Sequence, residues 1–208
     1  MSFLQILATV ACLAWLSAYT SAVAQTDPDI DGDGIPDTSE PLLGTDPLAA
    51  DTDGDGLKDL ADPKPVFADN PVDMGGAAAT FAIKEALVEN NYDYGAKADA
   101  TDHLELLVTN SGSADLTGFS LYYTITDADS GTVEGYTLPL PGFTVPANGE
   151  ARVHLDDGTI AGHFQANPNG IYTTSQAAKM FSVVLKADGM APVTVDIAKD
   201  KGGAEAAD

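Results

Sequence analysis

The chain has 208 residues, 32 of them acidic against 9 basic, for a formal net charge of −23, and 44% of its residues are hydrophobic. That charge excludes a binder of phosphate backbones and disfavours an anionic membrane surface, because both depend on Lys and Arg, and Arg152 is the one arginine. The apolar share is that of a globule with a core, and the single Cys12 leaves neither an intramolecular disulfide nor a cysteine-based zinc site.

Residues 1–24 carry no charged side chain, and residues 6–16 are apolar over a stretch too short to span a bilayer comfortably. They read as a secretory signal peptide ending in Ala22-Val23-Ala24, with cleavage before Gln25. Acylation at Cys12 is the competing reading, in a poor context mid-way along the apolar stretch. Cleavage leaves 208 minus 24, or 184 residues without cysteine. The expected location is secreted, extracellular or at the cell surface, with the periplasm as alternative and no membrane insertion after cleavage.

Composition then shifts. Residues 27–73 hold 14 acidic side chains against Lys58 and Lys64, a net of −12, with sparse apolar residues. A segment of 25–69 built this way cannot form its own core and needs a metal or a partner. One twelve-residue pattern occurs twice in it, DIDGDGIPDTSE from Asp29 and DTDGDGLKDLAD from Asp51, 22 residues apart. Acidic residues occupy positions one, three, five, nine and twelve in both, with glycine at six. A calcium ion takes six to eight oxygens, so the expected ligands are Asp29, Asp31, Asp33, the Ile35 carbonyl, Asp37 and Glu40 in the first loop. In the second they are Asp51, Asp53, Asp55, the Leu57 carbonyl, Asp59 and Asp62. The expected cofactor is Ca2+, about two ions. Carboxylates about 5 Å apart repel by roughly 3 kcal/mol per pair at an effective dielectric of 20, so five in one loop need a counter-ion. Asp62 is a methylene shorter than Glu40 and should close its loop less tightly.

Pro28, Pro41, Pro63 and Pro65 flank the loops and cut short any exiting helix. The stretch EPLLGTDPL from Glu40, followed by DTDGDGL from Asp51, resembles the thrombospondin type 3 repeats of secreted bacterial proteins. That resemblance covers about a fifth of the chain, and it implies a chain wrapped around calcium with little core and a stiffening role. Asp27 and Asp46 are candidate additional ligands. The loops depart from a dockerin, which follows each with a recognition helix.

Residues 70–79 are rich in Pro, Gly and Ala and read as a linker. From 80 to 200 the period becomes two, the mark of half-buried strands. A first strand near 80–89 competes with a short helix through Phe81, Lys84, Glu85 and Val88. Leu104, Leu106 and Val108 point inward with Leu107 outward, and Phe119, Leu121, Tyr123 and Ile125 point inward with Tyr122 outward. A segment near 132–139, then Val153 and Leu155, Phe181 to Leu185, and Val193 to Ile197 complete about seven strands. Asn110-Ser111-Gly112-Ser113, Asp129-Ser130-Gly131, Asn148-Gly149 and Asp188-Gly189 supply turns between them. The expected fold is an all-β, immunoglobulin-like sandwich after an irregular calcium-binding segment, with residues 201–208 a flexible tail. LELLVTNSGSADLTGFSL from Leu104 is similar to the strand-turn-strand of bacterial immunoglobulin-like modules and of lamin tail domains, which implies a spacer or adhesive element.

No G-x-S-x-G, HEXXH or strand-borne G-x-G-x-x-G motif is present. His103 and His154 read as strand residues, His163 lacks a clear partner, and Asp156-Asp157 reads as a turn before Gly158. Tyr122, Tyr136 and Tyr172 could stack on sugars or pack on edge strands. The expected function is a non-enzymatic, calcium-binding structural or adhesive module of the cell surface or extracellular matrix. Its partner would be an extracellular protein or polysaccharide, not nucleic acid. The alternatives are a polysaccharide-binding module and a hydrolase using His163 with Asp156 or Asp157.

Overall fold

The computed structural model describes residues 27–89, 92–93, 98–99, 103–156, 158 and 162–202. The expected leader, Asp157 and most of the expected tail lie outside them. Two four-stranded sheets pack face to face, as the all-β expectation requires. The first runs in the order β1 (Phe81–Glu89), β4 (His103–Asn110), β7 (Glu150–Asp156), β8 (His163–Gln165). The second runs β10 (Val193–Lys199), β9 (Lys179–Lys186), β5 (Phe119–Asp127), β6 (Val133–Leu140). Two-residue strands β2 (Tyr92–Asp93) and β3 (Ala98–Asp99) pair with each other.

Period-two patterning decides the core. Leu104, Leu106 and Val108 face Leu121, Tyr123 and Ile125 across the sandwich, joined by Val153, Leu155, Phe181, Val183 and Leu185, all buried. Phe119 meets Phe81 and Phe143 edge-on at centroid distances of 5.5 and 5.1 Å, a favoured aromatic geometry.

Residues 81–89 form a strand, and its helix-like spacing has a cause. A register shift between Ile83 and Glu85 reverses the facing of the strand, so Phe81 and Val88, an odd number of residues apart, are both buried. Leu107 does lie on the outer face of its sheet but is buried. It pairs with Glu85 on one side and Arg152 on the other, and those two form an ion pair at 3.0 Å across it. Arg152 also pairs with Glu105, itself buried on that face. Strand β8 pairs parallel with β7, which its three residues gave no periodic signal for.

Tyr122 is on the outward face, as expected, yet it is covered by residues 66–69, and its hydroxyl donates to the Ala68 carbonyl at 3.1 Å. Tyr122→Phe should cost about 1 kcal/mol of stability, the net worth of one hydrogen bond, read as the shift in urea midpoint. An unchanged midpoint would show that this contact does not hold the segment down.

Candidate calcium loops and their seat on the sandwich

Residues 27–69 build almost no core. Their one α-helix, α1 (Glu40–Leu43), is a single turn with Pro41 at its start and Gly44, in the left-handed region, at its end. The second loop ends instead in a three-residue 3-10 turn, Asp59–Ala61. Both exits are as short as the flanking prolines dictate.

What orders the loops is carboxylate-to-backbone bonding in a repeated register. Position one accepts from the position-four amide: Gly32 N–H to Asp29 and Gly54 N–H to Asp51, both at 2.9 Å. Position three accepts from position five, Asp33 N–H to Asp31 and Asp55 N–H to Asp53, at 3.0 Å. Position five accepts from position seven, Ile35 N–H to Asp33 at 2.6 Å and Leu57 N–H to Asp55 at 2.8 Å. Position nine reaches back to position two: Ile30 N–H to Asp37 at 2.9 Å and Thr52 N–H to Asp59 at 2.8 Å. Each bond uses one oxygen and leaves the other for something else. Asp51 and Asp59 are the exceptions, since their second oxygens take the Gly56 amide at 2.9 Å and the Thr52 hydroxyl at 2.6 Å.

This wrapping brings Asp29, Asp31 and Asp33 together, and likewise Asp51, Asp53 and Asp55, with one oxygen from each within 4.8 Å of the others in its trio. Glu40 is 0% exposed, and neither of its oxygens has a hydrogen-bond partner among the described residues. Asp31 Oδ2 and Asp33 Oδ2 are orphaned in the same way, as are Asp53 Oδ2 and Asp62 Oδ2 in the second loop. Asp62 commits its other oxygen to the Lys64 amide at 2.8 Å. The first loop thus offers a two-oxygen carboxylate at position twelve and the second a single oxygen.

Burial, with Asp31, Asp33 and Asp37 beside it, pushes the Glu40 carboxyl up to about 7, against the pull of the neighbouring Thr45 hydroxyl. Burial and the Asp55, Asp62 and Asp51 carboxylates push Asp53 up to about 7, against its hydrogen bond from Asp55. Lys58, in the second loop, donates to the Gly32 carbonyl of the first at 2.7 Å and so ties the loops together. Buried carboxylate oxygens without donors are costly. The donor set here is all oxygen, hard and flexible, which fits calcium and not the N/S ligation of zinc.

The loops are seated on the sandwich by side chains that the sequence did not single out. Gln165 donates to Asp46 Oδ2 at 2.6 Å, Asn167 to the Gly44 carbonyl at 2.7 Å and Asn169 to the Thr45 carbonyl at 2.6 Å. Asp46, a candidate extra ligand, therefore has one oxygen on Gln165 and the other on the Leu48 amide. Asp27 is exposed, with Thr38 at 3.4 Å. Asn167-Pro168-Asn169-Gly170 carries an ordinary turn signal, and nothing in it announces a docking role.

The sugar-stacking tyrosines are not presented: Tyr122, Tyr136 and Tyr172 are all buried. Tyr136 stacks on Tyr123 at 5.2 Å and donates to Glu134, and Tyr172 meets Phe181 edge-on. His163 does have a partner, a short contact from Nδ1 to Asp156, and its ring stacks on His154 at 4.5 Å. His154 is mostly covered and lies 3.6 Å from Glu105, in place of the solvated position expected for it. No Ser, Thr or Cys is hydrogen-bonded to His163 among the described residues, and Asp156 also accepts the Gly158 amide, as in a turn.

The sequence matches no family profile and no curated protein. Among solved structures, the chain is similar to a structural-genomics target protein at 11% identity, over 63% of this chain and 94% of that one, with a TM-score of 0.37. It is also similar to an Arabidopsis thaliana protein at 12% identity, over 68% and 90%, with a TM-score of 0.32. A third likeness is to the β-glucuronidase of Bacteroides uniformis at 11% identity and a TM-score of 0.31, over 64% of this chain and 14% of that one. Among the described residues no helix is long and apolar enough to cross a membrane.

Proposed function

We propose that this chain is a secreted calcium-binding module with a structural or adhesive role at the cell surface or in the matrix. Two ions replace the missing apolar interior of residues 27–69. The observation that carries the reading is Glu40: a fully buried carboxylate whose oxygens form no hydrogen bond, pressed against three others, is tolerable in its ionised form only if a cation joins it. Asp29, Asp31, Asp33 and Glu40 would hold the first ion with the Ile35 carbonyl. Asp51, Asp53, Asp55 and Asp62 would hold the second with the Leu57 carbonyl. Asp37 and Asp59 close their loops on the position-two amides and leave the direct ligation to the others. The role is mechanical and not catalytic: bound ions stiffen an otherwise coreless segment. The partner would be an extracellular protein.

Calorimetric titration of the chelator-treated chain with calcium should show about two ions bound, the first loop tighter. Extracellular sites work at about 10⁻⁴ to 10⁻³ M, so the titration must reach millimolar calcium. Absence of heat there, with an unchanged melting temperature, removes the reading.

A further inference from the structure

The second sheet ends at β6, whose far side has no strand partner among the described residues. A bare strand edge is a template for pairing with any other strand. Here the calcium-loop segment sits on it. Thr137 donates to the Asp53 carbonyl at 2.7 Å, Gly135 donates to the Val66 carbonyl at 3.0 Å, and Ala68 donates to the Gly135 carbonyl at 2.9 Å. Phe67 forms a parallel bridge to Gly135. Asp53 is at once a capping residue, through its carbonyl, and an expected ion ligand, through its orphaned Oδ2.

We infer that residues 53–68 are a calcium-locked cap on the β6 edge, so that occupancy of the second loop decides whether that edge is closed or open to another strand. The inference rests on the calcium reading above. With the ion bound, the loop is rigid and its Asp53 carbonyl is held where Thr137 needs it. Without the ion, Asp51, Asp53, Asp55 and Asp62 repel one another and the loop has no core to resist them. The cap then detaches while the sandwich keeps its own interior.

The two loops contain their own control. Gly32 and Gly54 occupy position four with nearly the same φ, +73° and +76°, so a side chain at either is strained alike. Only Gly54 is pressed against the sandwich. A Cβ there would lie 2.2 Å from the Thr137 carbonyl oxygen, whereas one at Gly32 meets nothing within 4 Å.

The test is amide hydrogen exchange on the full chain, with calcium alone as the ligand and titration heats recorded on the same samples. In calcium, Gly135 and Thr137 should be protected. Chelation should release them by roughly tenfold or more while the β9 amides of Val183 and Leu185 stay slow. In saturating calcium, Gly54→Ala should show the same release at Thr137 and Gly32→Ala should not. If calcium binds and the Gly135 and Thr137 rates are the same with and without it, the cap is refuted and the calcium reading stands. If both glycine variants behave alike, backbone strain and not seating explains the effect, and the cap is again refuted. If no calcium binds, both readings fall together.

Discussion

Glu40→Gln raises the stability of the calcium-free chain and lowers that of the calcium-loaded one. Without metal, Glu40 is a buried carboxylate facing Asp31, Asp33 and Asp37 with no donor to either oxygen. An amide of the same shape removes the charge and its repulsion, a gain of about 1–3 kcal/mol, or several degrees in melting temperature. With metal, the same change deletes the two-oxygen closure of the first loop. Affinity there should fall by at least the roughly 10- to 100-fold that disturbing even an outer-shell partner costs. Asp37→Asn is the comparison. Its Oδ1 already accepts the Ile30 amide, and an asparagine keeps that acceptor, so the loss should be smaller. Thermal melts of the three chains in chelator and in calcium, with titrations of each, decide it. A Glu40→Gln chain destabilised in both conditions, or losing no more affinity than Asp37→Asn, would falsify the assigned register.

Acidity should act on the two states in opposite directions. Glu40 and Asp53 have carboxyls pushed from 4.5 and 3.8 up to about 7 in the folded, metal-free chain. Between about pH 4 and 7 the folded state therefore holds protons that the unfolded state has released. Stability of the calcium-free segment is present at the acid end of that window and is lost as pH rises through 7, the reverse of the usual salt-bridged carboxylate. Calcium needs both groups ionised, so its affinity rises over the same window, and binding near pH 7 expels protons. Urea midpoints of the metal-free chain at pH 5 and 8, and titrations in two buffers of different ionisation enthalpy, measure the two slopes. A metal-free midpoint that climbs with pH, or binding without proton release, would show that these carboxylates are not packed as described.

The loops were legible because their chemistry is local. The aspartates at positions one, three, five and nine each bond an amide two or three residues on, or seven residues back within the same twelve, so spacing alone specifies the wrap. The sandwich was legible for a similar reason, since inward and outward alternation follows from strand geometry. Failures came where a second layer or a neighbouring strand intervened. Tyr122 alternates outward as predicted and is buried because residues 66–69 lie over it. Leu107 is shielded by an ion pair between residues 67 apart in the chain. Phe81 and Val88 share a face only because of a bulge, a feature no periodic pattern encodes.

Residue order by itself determined the acid-rich twin loops, the glycine turns within them and the alternating strands, since each depends on neighbours a few positions away. Tertiary structure decided what lies between these parts: that Glu40 is sealed from water, that Gln165, Asn167 and Asn169 grip the first loop's exit, and that Thr137 meets Asp53. Those contacts join positions 84 to 124 residues apart. Burial and long-range pairing depend on how the two halves pack, and composition and spacing carry no record of that packing.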